Sequence, residues 1–201
     1  MEKWGRRFEG KVAIVTASTQ GIGFGIAERL GLEGAAVVIS SRRQRNVDEA
    51  VEKLKGRGIE VLGLVCHVSN AQQRKDLIAK TVEKGSSIVF ISSVAGYQPH
   101  KGLAMYGVTK TALFGLTKAL AAEMAPNTRV NCIAPGFVPT HFASFLMENE
   151  STRRSIEEKT LLNRLGTIQD MAAATAYLAS DDAAYVTGET LIVAGGVPSR
   201  L

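Results

Sequence analysis

A chain of 201 residues holds one domain with a core of ordinary size and leaves little room for a second. Its 45% apolar and 21% charged residues exclude the disordered and fibrous classes. The net charge of +5 would suit an acidic partner, yet the basic residues are mixed with acids, as in Arg74-Lys75-Asp76 and around Arg153-Arg154. No basic stripe interleaved with aromatics is present, so nucleic acid is set aside as a partner.

Cys66 and Cys132 both lie in apolar, strand-like runs and read as reduced core residues, which fits an intracellular compartment. The first ten residues carry charges with no apolar segment behind them, and no apolar run is long enough for a membrane span.

Apolar β-rich runs alternate with helical patterns, the signature of strand–helix–strand units and a parallel sheet. In chain order the pattern predicts strands over 11–17, 35–41, 60–68, 87–93, 129–136 and 189–196. Helices are predicted over 21–34, 46–58, 71–84, 106–125 and 168–180, with Ser69 or Asn70 capping the third and Thr167 the last. The polar stretch 137–165 reads as a mobile, partly helical substrate loop. The whole is expected to form one domain, 1–84 its nucleotide-binding half and 85–201 its catalytic half.

Between the first strand and first helix lies "TASTQGIGFG", with Gly21, Gly23 and Gly25. A Gly-rich turn there lets backbone approach a pyrophosphate, which the helix N-terminus attracts through its N–H groups and dipole. It is not a clean G-x-G-x-x-G, and a tight turn with close helix packing is the plainer alternative. The second strand ends in "SSRRQR", where a carboxylate for a ribose 2′-hydroxyl is absent. Ser41, Arg42 and Arg43 there suit a 2′-phosphate, which favours NADP(H) over NAD(H); an exposed basic turn is the alternative. Further along, Tyr106 and Lys110 stand one helical turn apart on one face, and Ser93 closes a strand thirteen residues before the tyrosine.

At these residues the chain resembles the short-chain dehydrogenase/reductase family. "TASTQGIG" is similar to T-G-x-x-x-G-x-G with Ala17 at the first glycine, "MYGVTK" supplies Tyr-x-x-x-Lys, and "NCIAPGFVPT" is similar to the family's Pro-Gly segment. The resemblance runs from Lys11 to Gly196 and is strongest to the peroxisomal NADPH-dependent carbonyl and retinal reductases. It implies a Rossmann-like doubly wound parallel sheet, no metal, and a ketone or aldehyde as small-molecule substrate.

By the same resemblance Tyr106 would protonate the carbonyl oxygen. Lys110 would bias the phenol, ordinarily titrating near 10, and hold ribose hydroxyls, while Ser93 would position the carbonyl. NADPH or NADP+ would be bound by Thr16, Ser18, Gln20, Gly21, Ile22, Gly23, Ser41, Arg42, Arg43, Tyr106, Lys110, Pro135, Gly136, Val138 and Thr140. Ser199-Arg200-Leu201 is similar to the S-K-L peroxisomal address.

One departure stands out. The family carries a further strand and helix before its Ser-bearing strand, with an Asn-Ala-Gly-like turn and a helix asparagine that relays protons. Residues 69–93 contain neither; their one asparagine, Asn70, precedes the third helix. The chain is short by roughly fifty residues, about one strand–helix unit, and the shortfall falls at Lys84–Gly85. Because the absent strand is central, its loss exposes two strand edges, each orphan backbone group costing about 1–3 kcal/mol. The homo-oligomer usual in the family is then in question, and a shortened form that only binds nucleotide or a partner is the competing expectation.

Overall fold

The computed structural model describes residues 5–79, 86–99, 101–141 and 150–198. The chain divides into two compact units, Met1–Lys84 and Gly85–Leu201. The expected junction at Lys84–Gly85 lies outside the described residues, as do 142–149 of the expected substrate loop and Ser199-Arg200-Leu201.

The first unit alternates β1 (Val12–Val15), α1 (Gly21–Leu32), β2 (Ala36–Ser41), α2 (Gln44–Lys55), β3 (Val61–Val65) and α3 (Ala71–Ala79). Its three strands are parallel in the order β1-β2-β3, with Val12 opposite Ala36 and Val37 opposite Val61. β2 is central and apolar on both faces, and Val37, Val38 and Ile39 are buried, as a doubly covered parallel strand requires. Val47, Ala50 and Leu54 repeat at helical spacing and form the buried stripe of α2.

β1 stops at Val15, short of the expected Ala17, because Ala17 sits at φ 51 and turns the chain out of the sheet. α1 ends where Gly34 takes φ 102, the left-handed position that closes helices. The carboxylate of Glu33 is buried yet doubly paired, with Arg7 Nε at 2.6 Å and with Arg29. Burial pushes its pKa up, but the two guanidinium partners outweigh that and hold it below the ordinary value. The expected α3 cap is Asn70, whose Oδ1 accepts from the Gln73 N–H at 3.1 Å.

The second unit contains β4 (Ser86–Ile91), α4 (Ala104–Met124), β5 (Thr128–Pro135), α5 (Glu150–Glu158), α6 (Ile168–Ala179) and β6 (Thr190–Val193). Its strands are again parallel, in the order β4-β5-β6. β5 is the buried centre: Val130, Asn131, Cys132, Ile133 and Ala134 are all inaccessible. Asn131 makes its burial tolerable by donating to Val186 O and accepting from the Glu189 N–H. Thr167 caps α6 in a reciprocal box with Asp170, and Arg164, 2.7 Å away, holds the Asp170 carboxyl well below the usual range. β6 ends at Val193, before the expected Gly196, because Gly195 and Gly196 both take positive φ.

Both cysteines are free and buried, and no helix among the described residues is long and apolar enough to cross a membrane. The sheet is thus two three-stranded parallel sheets. Among the described residues β1 pairs with β2 alone and β4 with β5 alone. β1 and β4, each at one edge of its own sheet, are the strands that the resemblance expects beside the family's central strand.

Candidate active site

In the first unit, the β1–α1 turn is held by Ser18. Its N–H donates to Ser40 O at 3.0 Å, the Ser40 N–H donates back to Ser18 Oγ at 3.1 Å, and the Ser18 hydroxyl donates to Val15 O. Both serines are wholly buried. The Ser18 side chain and backbone thus tie the turn to the end of β2. Ser40 was missed; only its position opposite the turn, invisible in one dimension, marks it.

Gly23 must be glycine, since a Cβ there would lie 2.7 Å from Ala17 O and 3.0 Å from Ser18 Cα. Gly21 takes φ 58. Gln20 caps α1 with no side-chain bond, and no acid lies in its first turn, so nothing there compensates the positive helix end. Thr16 and Gln20 are exposed beside it, with Ile22 half-buried. At the end of β2, Ser41 is half-buried and Arg42 and Arg43 are exposed, and neither guanidinium has a hydrogen bond or ion pair among the described residues. Arg45, by contrast, is taken by Glu49 at 2.8 Å. A close-approach turn, an uncompensated helix end and two uncommitted guanidiniums fit a phosphorylated dinucleotide.

In the second unit, β4 ends at Ile91, so Ser93 is not a strand residue as expected. It caps the short turn Val94–Gly96, its Oγ accepting from the Ala95 N–H at 3.1 Å. That bond leaves the Ser93 O–H as a donor for another oxygen. α4 begins at Ala104, so Tyr106 lies in its first turn, and Lys110 follows one turn later with Nζ 5.5 Å from the centre of the Tyr106 ring. Lys110 Nζ donates to Ile91 O at 3.0 Å. Burial lowers the Lys110 pKa, an effect that nearby Cys132 opposes, while burial raises that of the Cys132 thiol.

Close packing places Ser93 relative to the helix. A Cβ on Gly96 would come within 2.8 Å of the Phe114 ring and 3.0 Å of the Lys110 carbonyl carbon; one on Gly107 would meet Pro99 at 2.9 Å and Ala95 O at 3.0 Å. Tyr97 stacks on Phe114 at 4.3 Å. Buried Ser92 fixes the same spot by donating its hydroxyl to the Lys110 carbonyl at 2.8 Å. Sequence reasoning missed Ser92, although the Ser-Ser doublet was a visible signal. Gly96→Ala is accordingly expected to cost about 1–3 kcal/mol by urea denaturation. Gly115→Ala, with nothing within 4 Å, should be neutral or gain up to about 1 kcal/mol of helix propensity.

Pro135, the last residue of β5, is buried, and beyond it Val138 is buried and Gly136 and Thr140 are half-buried. Gly136 donates to Val193 O at 3.0 Å, and a Cβ on it would overlap Ala194 at 2.9 Å. The Pro-Gly segment is thus pinned to the end of β6 through its backbone.

Two family models match the chain: short chain dehydrogenase over 11–85, and enoyl-(acyl carrier protein) reductase of the same short-chain class over 78–198. The chain is a short-chain dehydrogenase/reductase. Tropinone reductase-like 3 of Erythroxylum coca is 61% identical over 249 aligned positions, covering 98% of this chain and 96% of that protein. Dehydrogenase/reductase SDR family member 4 of Homo sapiens is 42% identical, covering 95% of this chain and 88% of that protein. Among solved structures, a variant of actinorhodin polyketide ketoreductase with NADPH superposes with a TM-score of 0.86 at 25% identity, covering 96% and 99% of the two chains.

For this short-chain dehydrogenase/reductase, 201 residues set against 249 aligned positions leave at least 48 positions with no counterpart. The two family models meet at 78–85, directly before β4. A deficit of this size agrees with the one strand–helix unit that the resemblance finds absent.

Proposed function

We propose that the chain is an NADPH-dependent carbonyl reductase acting on a ketone or aldehyde of the retinal or dicarbonyl type. The observation that carries this reading is the second unit's arrangement of a phenol, an ammonium and a hydroxyl: Tyr106 with Lys110 at 5.5 Å on α4, and Ser93 packed against that helix through Gly96.

NADPH supplies the hydride when bound. Within the first unit, Gly21–Gly23 are suited to its pyrophosphate and Arg42 and Arg43 to its 2′-phosphate. Ser93 directs its O–H at the carbonyl oxygen and fixes the substrate's orientation. Tyr106 gives its phenolic proton to that oxygen as negative charge develops there. The Lys110 ammonium, desolvated among Ile91, Tyr106 and Cys132, favours the phenolate left behind.

Purified protein should oxidise NADPH in the presence of a diketone or retinal, and faster than a Tyr106→Phe control. The two separate sheets favour a second reading, a form that binds nucleotide without turnover. A raised melting temperature with NADPH but no diketone- or retinal-dependent oxidation would select it. The peroxisomal reading of Ser199-Arg200-Leu201 belongs to the same proposal. A fluorescent fusion ending in those three residues should enter peroxisomes, and one ending in Ser199-Arg200-Ala should not.

A further inference from the structure

The partner of Lys110 is unusual in its direction. In a parallel ladder a residue's N–H and C=O point to one side of the strand, and those of the next residue to the other. Ser92 donates its N–H to Ile133 O at 2.7 Å, so its backbone faces β5. The carbonyl of Ile91 therefore faces away from β5, onto the edge where β4 has no neighbouring strand among the described residues. Ser86–Ile91 contains neither a charge nor a proline, two of the usual protections of such an edge.

An orphan carbonyl at the edge of an apolar strand needs a donor. The donor is Lys110 Nζ, at 3.0 Å. We propose that Lys110 caps the open edge of β4, standing where the N–H of an adjoining strand would stand, and so holds the second unit together independently of any catalytic role. The ammonium has three donors, so one can serve Ile91 while two stay available to a ligand. Ser92 makes the cap possible by anchoring the Lys110 carbonyl, 2.8 Å from its hydroxyl. It follows that loss of activity on replacing Lys110 cannot be assigned to chemistry unless stability is followed alongside.

The test is a comparison of melting temperatures. Lys110→Met keeps the apolar stem and removes the donor; in this chain it should lower Tm by about 2–4 °C or more. The same change at the corresponding lysine of the 61% identical Erythroxylum coca relative, which has at least 48 further aligned positions, should leave Tm unchanged or raise it. Where that relative carries the matching lysine and the additional strand, its removal would leave no strand edge without a donor. If the Met variant of this chain does not fold, Lys110→Arg, which keeps a donor, should fold and melt above it. An unchanged Tm in this chain, an equal fall in both proteins, or an Arg variant no more stable than the Met variant would overturn the assignment. Because the readout is stability, an inactive chain would leave it standing.

Discussion

Tyr106→Phe is expected to lower kcat/KM for carbonyl reduction by about 10²–10⁴-fold, the range over which a positioned general acid contributes. The substitution removes one oxygen from a half-buried side chain in the first turn of α4, where neither helix propensity nor packing around the ring changes much. Melting temperature and NADPH affinity should therefore remain near those of the parent. The separation matters because Lys110 lies 5.5 Å from the same ring and is also bonded to Ile91. A phenol acting as proton donor loses rate without loss of fold, whereas a phenol that merely packs loses neither. Equal rates for parent and variant would remove the carbonyl-reductase reading, and a rate indistinguishable from background in both would favour the nucleotide-binding form.

The parts of this molecule that were legible in the sequence are those set by local pattern. Alternating apolar runs announced the parallel α/β units, and the observed strands all fall within one residue of the predicted spans. The ends were read less well where a single backbone angle decides. Ala17 at φ 51 and the Gly195-Gly196 pair end strands that the apolar pattern alone would prolong. Tyr106 and Lys110 were legible because four residues make one helical turn, and Thr167 because a capping box is local. What stayed hidden was contact across the sheet: Ser18 with Ser40, Ser92 with the Lys110 carbonyl, and Lys110 with Ile91. The last involves an edge of β4 that has no strand neighbour among the described residues, and spacing along a chain carries no sign of where such a carbonyl will find its donor.

Replacing Arg42 and Arg43 together by Ala should raise KM for NADPH by roughly 10–100-fold while leaving that for NADH nearly unchanged. Hydrogen bonds to a charged group contribute about 1.5–3 kcal/mol each. Both guanidiniums are exposed, so solvent screening places their joint effect near the lower part of that scale. In the proposed reading, specificity for the phosphate would arise because a hydroxyl in its place offers them no charge, and no carboxylate in Ser40–Arg45 waits to accept a ribose hydroxyl. Arg45 provides the internal control. It is the same residue type two positions further on, in the first turn of α2, but Glu49 already holds it at 2.8 Å, so Arg45→Ala should leave any NADPH preference intact. The preference of the parent should also narrow as salt rises, because ions compete for exposed guanidiniums and not for the buried staple of Ser18 and Ser40. Parallel losses for both cofactors, or an Arg45 variant as impaired as the double variant, would instead mean that this turn acts through general surface charge, and the 2′-phosphate would have to be recognised elsewhere.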